Sequence, residues 1–130
     1  MDAIDAMDAM EDKHLREETL SSQPLLSSHF LQVLGDTVRL PDGRTATRDY
    51  IVHPGAVMVI PLLHTTDGWR VVLERQFRYP VHRVMVEFPA GKLDAGEATL
   101  ACGQRELLEE TGYTATEWAH AGVIHPCISY

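Results

Sequence analysis

A chain of 130 residues suits one domain with one modest core. Its hydrophobic fraction of 45% is that of an ordinary globular protein, and no apolar run approaches the roughly 20 residues that span a bilayer. A net charge of −8 argues against a nucleic-acid polymer as the main partner, and no membrane partner is expected.

The charge is uneven. The first twenty residues hold seven acids and two bases, which leaves the remaining 110 with a net charge of only −3 and room for local basic sites. The start has neither the basic nor the apolar region of a secretory signal, so the expected location is cytoplasmic. Cys102 and Cys127 fit neither a CxxC pair nor a zinc spacing and read as reduced thiols.

In chain order, residues 1–28 read as an acidic, flexible segment. It opens on the near-repeat DAIDAMDAM, which lacks a clear core face, and closes on the loop-like SSQPLLSS. From His29 the pattern changes. HFLQVLGDTVRL and TATRDYIVH flank the turn PDGR, which predicts an antiparallel hairpin over 29–53. GAVMVIPLLH is a nearly continuous apolar run, as in a central strand buried on both faces. WRVVLERQFRY and RVMVEF read as further strands, residues 98–111 as a helix, and WAHAGVI as the start of another strand. One helix among many strands predicts a mixed α/β domain of α+β character over 29–130.

Residues 91–113, GKLDAGEATLACGQRELLEETGY, are the candidate site. On a helical wheel Leu100, Ala101, Gln104, Leu107, Leu108 and Thr111 share one side, which is predicted to face the sheet. Glu106, Glu109 and Glu110 fall opposite. Glu106 and Glu110 are four apart, where like charges cost a helix a few tenths of a kcal/mol. A hard divalent cation offsets that repulsion, and carboxylate oxygens are its preferred ligands. A plain solvated acidic face is the structural alternative.

Gly91, Glu97, Arg105, Glu106, Leu107, Glu109, Glu110, Gly112 and Tyr113 fill, position by position, the pattern G-x5-E-x7-R-E-U-x-E-E-x-G-U, where U is bulky and apolar. This resembles the Nudix box, the signature of hydrolases that cleave a nucleoside diphosphate linked to another moiety. The resemblance implies a mixed β-sheet sandwiched between helices and Mg²⁺ as cofactor, with Mn²⁺ as a substitute. It implies Glu106 and Glu110 as metal ligands with Glu109 assisting, the Ala90 carbonyl as a further ligand, and Glu97 and Arg105 as the pair bracing the box.

EFPAGKLDAGE, ERQFRYP and TRDYIVHPGAV resemble the ADP-ribose pyrophosphatases, although Arg48-Asp49 stands where that branch usually has Arg-Glu. By position, Arg48 is expected to contact the adenine end of a nucleoside diphosphate sugar and Arg78 its pyrophosphate. The implied reaction is hydrolysis of ADP-ribose to AMP and ribose 5-phosphate. The resemblance covers 29–130 and stops short of the branch's usual length, as in a C-terminally truncated member. The alternative is therefore a catalytically incomplete nucleotide-binding or assembly module. The apolar content of 29–53 exceeds what an isolated hairpin buries, and together with the resemblance it implies a homodimer through that segment. His53, His120 and His125 read as structural.

Overall fold

The computed structural model describes residues 12–28 and 31–129. The stretch DAIDAMDAM and Phe30 lie outside the described residues. The chain divides into two compact units, one running from residue 54 to 123 and the other formed by the residues on either side of it.

The N-terminal unit is a three-stranded antiparallel sheet in the order β1–β2–β3, with β1 Glu18–Ser27, β2 Gln32–Arg39 and β3 Thr45–Val52. The expected hairpin is β2–β3, paired without interruption from Gln32↔Val52 to Arg39↔Thr45. Its turn follows from local chemistry. Gly43 takes a φ of 87°, and Asp42 Oδ1 accepts the Arg44 N–H at 3.0 Å.

The segment read as loop-like is instead a strand. Serine and Pro24 suggest a loop, yet an edge strand tolerates both, because proline's missing N–H matters only toward a partner. Two register shifts, at Thr19/Ser21 and Pro24/Leu26, absorb the irregularity. Leu25 lies over Gly35, where a Cβ would come within 2.9 Å of its side chain. The third strand thus supplies part of the cover that the hairpin lacks. Central β2 buries Val38 and Asp36, and Tyr50 donates to Asp36 Oδ2 at 3.2 Å.

In the second unit the apolar run GAVMVIPLLH does not form one central strand. It breaks into β4 Ala56–Met58 and β5 Leu62–Thr65 on either side of Pro61, with Val59 buried between them and Met58, Ile60 and Leu62 exposed. Proline cannot donate to a ladder, so the pairing changes partner there. β5 pairs with β6 Gly68–Val71, and β7 Glu74–Arg78 pairs with β8 Arg83–Glu87. β4 pairs with the distant β9 Ala90–Lys92, which sets Val57 opposite Gly91. All strand pairings among the described residues are antiparallel. The expected strand at WAHAGVI is absent, since it meets no ladder partner among the described residues.

The helix α1 spans Thr99–Thr111, ends on Gly112 in the left-handed region at φ 73°, and packs against β9 and β4. It is the single α-helix among the described residues. Its buried side is Cys102, Gly103, Glu106 and Leu107, so of the predicted stripe Leu107 is buried while Leu100 and Leu108 are half exposed. Small residues decide this. Cys102 and Gly103 let the helix approach closely, and a Cβ on Gly103 would already touch Val57, Val59 and Trp118. The rotated face gives unequal costs for two adjacent leucines. Leu107→Ala, at 2% exposure, should cost about 2–4 kcal/mol in urea unfolding, and Leu108→Ala about 1 kcal/mol or less.

Candidate active site

The site is assembled from β9, the loop after it, and α1. Gly96 turns the loop at φ 77°, which brings Glu97 back over Asp94: the Asp94 N–H donates to Glu97 Oε2 at 3.1 Å. From the helix, Arg105 then grips the same carboxylate with both edges of one fork. Nε donates to Oε1 at 3.0 Å and Nη2 to Oε2 at 2.9 Å. Nη2 also reaches the Lys92 carbonyl at 3.2 Å, Nη1 donates to Glu106 Oε1 at 2.6 Å, and Glu109 Oε2 lies at 3.4 Å. One guanidinium therefore joins strand, loop and helix.

Glu106 is a charged residue at 9% exposure. Its carboxylate occupies the space over Gly91 where any Cβ would overlap it. Glu110, one turn later, accepts the Ala90 N–H at 2.9 Å. Both glutamates are thus tied to adjacent residues of β9. Glu109 is exposed and points away from the strand side.

The ionisation states follow from these contacts. The Arg105 guanidinium, helped by the Asp94 N–H, pulls Glu97 down to about 2, and Arg105 is itself raised, chiefly by Glu97 and then Glu106. Glu110 moves the other way. Burial raises it, the Ala90 N–H opposes that, and the carboxylates of Glu74 and Glu106 add to the rise. Burial and the Glu97 charge raise the Cys102 thiol, which accords with a structural cysteine.

Arg78, at the end of β7, is bound by Glu87 and feels the charges of Glu74 and Glu110. The structure therefore brings Ala90, Glu97, Arg105, Glu106, Glu110 and Arg78 into one unit. Arg48 stands on β3 in the other unit, paired with Glu17 and donating to the Thr47 carbonyl at 2.9 Å. Glu74 and Glu87 escaped the sequence reading. Their signal is the β7–β8 register, which sets Glu74 opposite Glu87 and was not visible without the turn.

The NUDIX domain family matches residues 52–130. The chain belongs to the Nudix family. The nucleoside diphosphate sugar hydrolase N-terminal domain matches residues 17–51, the span of the three-stranded sheet. Among relatives, the Nudix chain is 41% identical over 103 residues to an ADP-ribose pyrophosphatase of Bacillus subtilis, covering 79% of this chain and 54% of that protein. It is 39% identical over 108 residues to the methanol dehydrogenase activator of Bacillus methanolicus, covering 82% and 57%. It is 34% identical over 122 residues to the ADP-sugar pyrophosphatase of Mus musculus, covering 87% and 54%. A crystal structure of an ADP compounds hydrolase shares the fold at a TM-score of 0.67 and 22% identity, over 78% of this chain and 54% of that one. The chain spans about half the length of the curated relatives it matches.

The Arg105–Glu97 grip sets an acid limit on this unit. A carboxyl lowered in the folded state stabilises it above the ordinary carboxyl value of 4.5, and that contribution is lost as pH falls toward about 2. Thermal melts from pH 6 down to pH 2 should show the midpoint falling through that window. Glu97→Gln should start lower at pH 6 and lose less over the same range.

Proposed function

We propose that the chain carries the catalytic centre of a Mg²⁺-dependent hydrolase that cleaves the pyrophosphate of a nucleoside diphosphate linked to a sugar, with ADP-ribose yielding AMP and ribose 5-phosphate. The observation that supports this best is the pairing of Glu106 and Glu110 on one helix face against Ala90 and Gly91, with Arg78 in electrostatic reach of Glu110. The names of the pyrophosphatase relatives support the substrate class.

The donor chemistry fits a hard divalent cation. Burial, and after it the nearby carboxylates of Glu74 and Glu106, raise Glu110, and carboxylate oxygens are the ligands such a cation prefers. Glu106, Glu110 and the Ala90 carbonyl would hold Mg²⁺, or Mn²⁺ in its place, with Glu109 assisting. Bound there, the cation neutralises phosphoryl charge and lowers the pKa of a coordinated water. The protein's own residues do the rest. Arg105 and Glu97 hold the helix against β9, so the two carboxylates keep their spacing. Arg78 offers a planar cation to the pyrophosphate oxygens.

A second reading, a nucleotide-binding module without turnover, draws on one observation. No three His, Cys, Asp or Glu side chains among the described residues converge closely enough to hold a metal, and Arg105 Nη1 donates to Glu106 Oε1. A panel of ADP-ribose, NADH, diadenosine polyphosphates and 8-oxo-dGTP, assayed with Mg²⁺ beside calorimetric titration, separates the readings. ADP-ribose should be turned over best; binding without turnover would favour the module.

Two substitutions refine the site assignment. Glu106→Gln and Glu110→Gln should each lower turnover by more than about 100-fold, since even outer partners of a metal site contribute about 10–100-fold. Without metal the two should part. Glu110→Gln keeps an acceptor for the Ala90 N–H and removes charge repulsion, so its thermal midpoint should hold or rise. Glu106→Gln loses the ion pair with Arg105, so its midpoint should fall by a few degrees. Near-normal turnover in both would move the metal site elsewhere.

The assembly proposed is a homodimer through the N-terminal sheet, in which Arg48 serves the partner's adenine end. The free edge of β3 and the half-exposed Ile51 and Val52 support it. Sedimentation across a concentration range should show dimers, and a persistent monomer at tens of micromolar would remove this role for Arg48.

A further inference from the structure

Arg78 and Glu87 meet along one side of the β7–β8 hairpin. Nε of Arg78 donates to Glu87 Oε1 at 2.9 Å and Nη2 donates to Oε2 at 2.7 Å, a fork-to-fork contact that sets both the direction and the plane of a guanidinium. This is not the direct cross-strand partner, because the register sets Arg78 opposite Arg83 and Glu87 opposite Glu74. Arg78 therefore leans back from the hairpin tip toward the end of β8. From there the chain runs through Phe88 and Pro89 to Ala90, whose N–H holds Glu110. The grip uses only one edge of the guanidinium. Nη1 makes no hydrogen bond among the described residues and keeps both its N–H groups for another acceptor.

We infer that Glu87 is a positioning residue, which holds Arg78 so that its open edge meets the phosphoryl oxygens of a nucleoside diphosphate lying against Glu106 and Glu110. The inference rests on the function proposed above. A half-exposed ion pair of this kind adds little stability by itself, which leaves its geometry as the stronger reason for it. Two effects follow from the grip. An arginine already held in one rotamer loses less freedom when the anion binds. Glu87 also holds Arg78 against the pull of the other carboxylates whose charge it feels, Glu74 and Glu110.

The test is a double-mutant cycle on the whole chain. The probe is an ADP-ribose analogue whose bridging oxygen is replaced by methylene, titrated calorimetrically in Mg²⁺ buffer. Glu87→Ala should weaken binding roughly three- to tenfold, the range expected when one rotamer-rich side chain must be ordered anew. On an Arg78→Ala background the same change should have no further effect, while Glu87→Gln, which keeps the length and one acceptor oxygen, should fall between. Circular dichroism melts of all five proteins separate loss of fold from loss of positioning. Unchanged or tighter binding in Glu87→Ala, or an equal loss in both backgrounds, overturns the positioning role and leaves the hydrolase reading standing. Failure of the unsubstituted chain to bind the analogue overturns both.

Discussion

The second unit of this chain hangs on one guanidinium. Arg105 joins Glu97 from the loop, Glu106 and Glu109 from its own helix, and the Lys92 carbonyl from β9. The contacts reach three elements, so helix, loop and strand are joined by a single group. A lysine could supply the charge but not the planar fork that meets Glu97 at two atoms while a third nitrogen turns to Glu106. The repulsion among the three glutamates in the last six residues of the helix is partly met from within, by the Arg105 contacts to Glu106 and Glu109.

Gly91 is the complement of that arginine. The helix can bring a carboxylate down onto the strand only where the strand has no side chain, and the Glu106 carboxylate fills the place a Cβ would take. Cys102 and Gly103 serve the same close approach from the helix side. The result is a buried face shared by Leu107 and an acidic residue, with Leu100 and Leu108 left half exposed, a departure from an ordinary amphipathic helix.

The exposed apolar surface of the second unit has the same origin. Leu100, Leu108, Leu62, Val84 and Val86 are about half exposed or more, and the strands stand as two-stranded pairs rather than one wide sheet. Two-stranded ladders bury little by themselves. The core of the unit is correspondingly small, with Val59, Cys102, Leu107 and Pro89 at its centre.

Much was legible in the sequence alone. The motif over 91–113 identified the Nudix family, the helix bounds were right to within a residue, and the β2–β3 hairpin followed from its turn chemistry. These are local properties, carried by spacing, caps and turns. What the sequence did not decide is which face of α1 is buried, because an average over apolar residues cannot know that Gly91 leaves room for a carboxylate. It did not reveal β1, whose serines and proline suit a loop unless a neighbouring strand is there to pair with. Nor did it bring Glu87 to Arg78, since that contact depends on the register of two strands joined by a turn at Tyr79–Val81. Pairing, register and close approach are long-range, and only the tertiary structure sets them.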